Sequence, residues 1–301
     1  MKTPNYRSTA AHLLIAAALT CASLQADSSI GVNFAGANVH GTPTRLDRTD
    51  LAGVVPQDQW NNFQAHSATG VLLRDNSGQV TSITVSYLTQ EMYGSGTYGA
   101  GAGSDADAKL LNGYLNAFAN DTNTVTFGGL NPAETYSVIV YCVRETSQNE
   151  DAFYWIGDNY SDGPWINYEG AADWLANPQF RRATNVLGSP DTGNYVRLDN
   201  LSPEPDGTLS VSTTPALNSD RAPINGIQLL TTGSFPPTTE TVAIQLQPRN
   251  ASVPVGQSGT FRVVANGPWD YQANGPPRQL LGTGCVATTV ILGHANYAPG
   301  T

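Results

Sequence analysis

Eight residues, YSVIVYCV (136–143), do most to limit how this chain can fold. They are apolar on both faces, so they read as a central strand that needs cover from two sides. The preceding GGLNPAET is a turn. Gly128-Gly129 permits positive φ, and Asn131-Pro132 starts a bend. In TSITVSY (81–87), Ile83, Val85 and Tyr87 alternate with polar residues, the mark of a half-buried strand. Similar short runs recur at Ile30–Phe34, Thr124–Phe127, Asn194–Leu198, Leu209–Val211 and Ile224–Leu230, separated by clusters drawn from 30 glycines and 19 prolines. Short strands at this spacing predict an all-β sandwich or barrel, not alternating βα units. Helical spacing is thin. Asp105–Phe118 places Leu110, Leu111, Tyr114, Leu115 and Phe118 on one side, which predicts a short helix that Gly113 weakens.

Residues 1–26 have the pattern of an export signal: Lys2 and Arg7, the apolar run Leu13–Ala22, then Leu24-Gln25-Ala26. The run is shorter than the ~20 residues of a spanning helix. Cys21 follows Thr20, which is larger than the small residue a lipoprotein site usually carries. Removing this segment leaves 12 Lys+Arg against 24 Asp+Glu, a balance of −12, with Lys109 the one remaining lysine. Such a chain has no basic patch for nucleic acid or an anionic bilayer. The expectation is a secreted or cell-surface protein, without membrane insertion after signal removal, whose partners are neutral polymers or cations.

The remaining 275 residues exceed one average domain. Domain boundaries are expected at 27–232 for a β-sandwich module, at 233–241 for a linker stiffened by Pro236-Pro237, and at 242–301 for a second β module. About 60 residues are too few for a two-sheet immunoglobulin-type domain of ~100 residues. Strand alternation is lost after Gly275, so the second module is read as cut short, its C-terminal part poorly ordered, with a premature or frame-shifted end as one explanation. Cys142 and Cys285 fall in different modules and are not expected to pair; Cys142 reads as a buried small hydrophobe. His40, His66 and His294 are scattered, and no Cys/His spacing suggests zinc.

Several segments taken together resemble a recurrent module of secreted bacterial proteins of Verrucomicrobia and Planctomycetes type. These are GVNFAG (31–36), AGVVPQDQWNNF (52–63), LLNGYLNAF (110–118), VTFGGLNPAETYSVIVY (125–141), GNYVRLDNLS (193–202) and APINGIQLL (222–230). In broad plan that module looks like the jelly-roll sandwiches of malectin-like and galactose-binding-like domains. The resemblance spans about residues 29–232 and implies a jelly-roll-type β-sandwich; it carries no catalytic motif to transfer. QPRNASVPVGQSGTFRVVANG (247–267) resembles the opening strands of a bacterial immunoglobulin-like domain, although Tyr271-Gln272 are followed by Ala273 where such domains commonly have tryptophan.

FYWIGDNYSDGPWINYEGAADW (153–174) is the one chemically uneven region. It has seven aromatics, including three of the five tryptophans, and four acidic residues, with no Lys or Arg. Trp155, Tyr160, Trp165, Tyr168 and Trp174, interleaved with Asn159 and Asn167, have the composition of a sugar-stacking surface on loops. The competing reading is core, because Trp and Tyr tolerate burial when their polar tips find partners. Within that competition Trp165 and Trp174 are expected outside, and Tyr154 and Ile156 inside. Asp158 and Asp162 are the nominal ligands of a structural Ca2+, against a default of solvated acidic loops. The window from Thr146 to Phe180 contains no basic residue, and no calcium-loop motif is present.

YGSGTYGAGAGSDADA (93–108) lacks the ending of a phosphate loop and reads as a surface loop. In AGVVPQDQWNNF, Trp60 is expected inside, with Asn61 and Asn62 pairing backbone groups. Asp158/Asp162 and Glu150/Asp151 are nominal carboxylate pairs for glycoside cleavage, but two carboxylates among 24 are no signal, and no nucleophile elbow occurs. The sequence therefore points to a non-catalytic extracellular binding module for polysaccharide or cell-surface glycan, with no catalytic residues assigned. A structural or adhesive matrix protein without a ligand pocket is the alternative, and a hydrolase the weaker one.

Overall fold

The computed structural model describes residues 28–36, 43–94, 105–144, 150–157, 165–184, 192–216, 219–238, 243–246, 262–266 and 285–288. The export-signal segment lies outside them. The strands are β1 (Ser28–Phe34), β2 (Asn61–Phe63), β3 (Ser67–Arg74), β4 (Val80–Leu88), β5 (Glu91–Gly94), β6 (Gly113–Phe118), β7 (Asn123–Gly128), β8 (Tyr136–Tyr141), β9 (Val143–Arg144), β10 (Glu150–Ile156), β11 (Trp165–Gly170), β12 (Thr192–Gly193), β13 (Tyr195–Leu201), β14 (Leu209–Pro215), β15 (Arg221–Ile224) and β16 (Gly226–Thr231). Two short helices, α1 (Ala106–Leu110) and α2 (Ala171–Ala176), accompany them. No helix among the described residues is long and apolar enough to cross a membrane.

The protein is an all-β sandwich. One sheet runs β13-β8-β16-β1-β2; the other runs β12-β11-β10-β14-β7-β4-β3, with β9 also on β11. Pairing is antiparallel except for β1–β2, β11–β12 and β11–β9. Ile30, Val32, Phe34, Val138, Val140, Ile227 and Leu229 from the first sheet meet Ile83, Val85, Val125, Phe127, Val211 and Tyr154 from the second in one fully buried core. Burying each of these side chains contributes roughly 1.5–3 kcal/mol.

YSVIVYCV is central, as its two apolar faces require. Val138 and Val140 face the sandwich core, whereas Ile139 and Tyr141 face a second cluster on the outer side of the five-stranded sheet. That cluster also holds Leu46, Trp60, Leu110, Leu111, Leu230 and Trp174, brought by the 43–60 segment, α1 and α2. Gly31 makes the cover possible, because a Cβ there would stand 2.6 Å from the Trp60 indole. Trp60 is buried, its Nε1–H donating to the Gln57 carbonyl at 3.0 Å. Asn61 and Asn62 pair backbone groups of Gly31, Arg74 and Leu46, at 2.9–3.0 Å. The turn after β7 has Gly129 at φ +78°.

Three expectations need correction. Asp105–Phe118 is not one helix. Asp105 caps α1 by accepting from the Ala108 N–H at 2.7 Å, but the helix stops at Leu110 and GYLNAF becomes β6. Strand pairing on both sides, to β5 and β15, wins over weak local helix propensity. The runs 136–143 and 224–230 each break, at Cys142 and Asn225. There the Asn225 amide donates to the Leu111 and Gly113 carbonyls and accepts from the Val143 N–H, holding the corner where the chain changes sheets. Finally, the linker expected over 233–241 belongs to the sandwich as far as Thr238. Phe235 is buried beside Tyr136, the Pro236 carbonyl accepts from Ser82 N–H at 2.8 Å, and Thr238 N–H donates to the Val80 carbonyl.

β15, β6 and β5 form a separate three-stranded sheet whose inner face, Met92, Leu115, Ala117, Ala222 and Ile224, joins the sandwich core. In the C-terminal segment, β17 (Ala243–Leu246), β18 (Arg262–Asn266) and β19 (Cys285–Thr288) form an antiparallel sheet of their own. The linker residues 239–242 and most of the expected immunoglobulin-like module lie outside the described residues.

Candidate functional site

In the described part of the aromatic stretch 153–174, most of the rings form wall rather than platform. β10 and β11 pair in the large sheet, with Ala152 opposite Ile166 and Phe153 opposite Trp165. Alternation then turns Tyr154, Ile166 and Tyr168 into the core, where all three are fully buried. The hydroxyls of Tyr154 and Tyr168 donate to the carbonyls of Pro223 (2.6 Å) and Arg221 (3.0 Å). Ile156 is half-buried against the same core. Trp155 is 9 % exposed, opposite Ser212.

Trp174, expected outside, is 2 % exposed. It sits on α2 and packs against Phe180, ring centres 5.2 Å apart, in the cluster over the five-stranded sheet. Tyr168 and Trp174 thus cannot stack a sugar, because their faces are already covered by protein. Trp165 and Asn167 are described by their backbone alone, as strand residues of β11. Asp158, Asn159, Tyr160 and Asp162, and with them the calcium expectation, lie outside the described residues. Among the described residues no group of three or more His, Cys, Asp or Glu side chains is placed to hold a metal ion.

The acidic character of this region is also partly neutralised. Glu169 is fully buried; it accepts from the Arg181 guanidinium and from the Asn194 amide at 3.0 Å. Asn194 in turn bonds the Gln179 carbonyl and the Arg181 N–H at 2.9 Å. The partner is one residue beyond the window that contains no basic residue. Cys142 is buried nearby, and burial, with Glu169 adding to it, pushes its thiol far above the usual range, so it behaves as a hydrophobe.

A different constellation occupies the outer face of the small sheet. Because Met92, Leu115, Ala117 and Ala222 point inward, Glu91, Tyr93, Tyr114, Asn116, Phe118 and Arg221 point outward. The register sets Tyr93 opposite Tyr114, Glu91 opposite Asn116, and Phe118 opposite Arg221. Tyr93 and Tyr114 stack at 5.3 Å between ring centres and 7° between planes. The Arg221 guanidinium lies 4.2 Å above the Phe118 ring and its Nη1 stands 3.5 Å from an Asp220 carboxylate oxygen.

Burial pushes the Tyr93 phenol above its ordinary pKa; its hydroxyl interacts with both Glu91, which adds to the rise, and Arg221, which opposes it. On the same face of β6 Asn116 is fully buried, and neither Nδ2 nor Oδ1 has a hydrogen-bond partner. Leaving such a group unpaired costs about 1–3 kcal/mol, so an amide with both ends idle requires an explanation.

These residues were hidden in the sequence. LLNGYLNAF also fits helical spacing, and that reading set Tyr114 and Phe118 on one face with Leu110, Leu111 and Leu115, apart from Asn116. No protein-family model matches the chain, and no curated protein matches it.

Proposed function

We propose that this chain is a non-catalytic module of a secreted or cell-surface protein, that it binds polysaccharide or cell-surface glycan, and that the binding face is the outer side of the three-stranded sheet. The observation that carries this reading is the idle Asn116 amide among aromatic rings and two opposite charges. Sugars present apolar C–H faces to rings and hydroxyls to amides, carboxylates and guanidinium groups. The export-type leader, the acidic balance and the want of a basic patch favour the same partner class. The test is a glycan array probed with the full chain and with Tyr93→Ala. Retained signal in the variant would move the site elsewhere.

A scaffold without ligand is the second reading, favoured by the inward packing of Tyr154, Tyr168 and Trp174. A blank array, with the protein shown folded by circular dichroism, would support it.

A further inference from the structure

The ligand chemistry follows from the unpaired Asn116 amide and rests on the glycan reading above. We infer that the outer face of the small sheet recognises an uncharged pyranose through two adjacent hydroxyls bound to the Asn116 amide. The amide offers one donor end and one acceptor end side by side, both unused. A single carbonyl or ammonium ligand satisfies one end and leaves the other empty. A vicinal diol satisfies both, since one hydroxyl accepts from Nδ2–H while its neighbour donates to Oδ1.

Charge narrows the class further. Glu91 and Arg221 flank the amide row with opposite signs, and Asp220 lies against Arg221 at 3.5 Å. Asp220 is held by Arg144 as well, at 3.0 Å, so an acidic sugar would face Glu91 on one flank and a cationic sugar the Arg221 guanidinium on the other; a neutral ring meets neither penalty. Tyr93 supplies the apolar side: its half-buried ring stacks on Tyr114 at 5.3 Å. Because Asn116 is fully buried, side chains on this face must shift to admit the diol, and the Tyr93 ring then packs on the sugar C–H face.

Isothermal titration of the full chain tests this with methyl glycosides of glucose, galactose, mannose and xylose, alongside galacturonic acid and N-acetylneuraminic acid. The expected result is binding of at least one neutral glycoside and none of the acids. Asn116→Leu should weaken that binding by tenfold or more, while its thermal midpoint stays level or rises, because an unsatisfied amide has been removed. Tyr93→Ala should weaken it too, which keeps the inference testable if the Leu variant fails to fold. Methylation of either hydroxyl of the preferred diol should abolish the signal. Binding of the acids with equal or better affinity, or full affinity in both variants, overturns the diol inference and leaves a glycan module with its site elsewhere. No binding of any of these sugars, together with a blank glycan array, overturns both.

Discussion

Two aromatic surfaces lie on the outside of the sheets, and they differ in how their polar atoms are used. Over the five-stranded sheet, Trp60 and Tyr141 meet edge to face at 6.2 Å, with Phe180 and Trp174 beyond them. Here the Tyr141 hydroxyl donates to Gln228 Oε1 and accepts from Val54 N–H at 2.7 Å. The Gln228 amide donates to Val55 carbonyl and to Gln57 Oε1, each at 2.8 Å. Over the three-stranded sheet the rings are fewer, the charges are real, and the buried amide in the middle is paired to nothing. Ring count therefore does not separate the two surfaces. Asn33, on the outer side of the five-stranded sheet, keeps a bond from its amide to Asn62 at 2.8 Å although its Oδ1 is unpaired, whereas the Asn116 amide is unpaired at both ends.

The largest test of that contrast is Trp60→Ala. Removing the indole should cost about 3–5 kcal/mol in urea unfolding, while sugar affinity per folded molecule stays constant. A loss of affinity without loss of stability would reverse the roles of the two surfaces. Tyr141→Phe is next: it strips a partner from both Gln228 and the Val54 N–H, and should lower unfolding free energy by about 1–3 kcal/mol. Asn116→Leu carries the opposite sign, a gain of about 1 kcal/mol in the same measurement.

The smallest expected effect is at Asp107, which accepts from Gly53 N–H at 2.8 Å where α1 meets the covering segment. Burial raises its pKa, with Asp105 adding to the rise and the Gly53 bond opposing it. A raised folded-state pKa means stability is fully present below the unfolded value and falls as pH rises through the folded one. Asp107→Asn should therefore flatten that part of the stability–pH curve and leave the protein no weaker at neutral pH, with a change of a few tenths of a kcal/mol.

Much of the architecture was legible because it rests on local alternation. Ile83, Val85 and Tyr87 mark one face of β4, and the two-sided apolarity of residues 136–141 announces a strand with a cluster on each side. The candidate site was not legible, for a related reason. A stretch rich in Trp and Tyr looks alike whether its hydroxyls find carbonyls or sugars, and the partners that decide it, Pro223 and Arg221, are more than fifty residues away. Asn116 carries no local mark at all. Its significance arises only when β5 and β15 close around it and supply no hydrogen bond. Likewise Arg181, which neutralises Glu169, stands just outside any window drawn around the acidic residues.

The short piece from Phe235 to Thr238 has a mechanical consequence. It lies alongside the first residues of β4, fastened by the Ser82–Pro236 and Thr238–Val80 bonds and by the Phe235 ring beside Tyr136. Tension arriving from the C-terminal side would reach this clasp before it reached β16. While it holds, the load passes into β4, and the clasp must let go before β16 takes it, so it would act as a yielding element under shear.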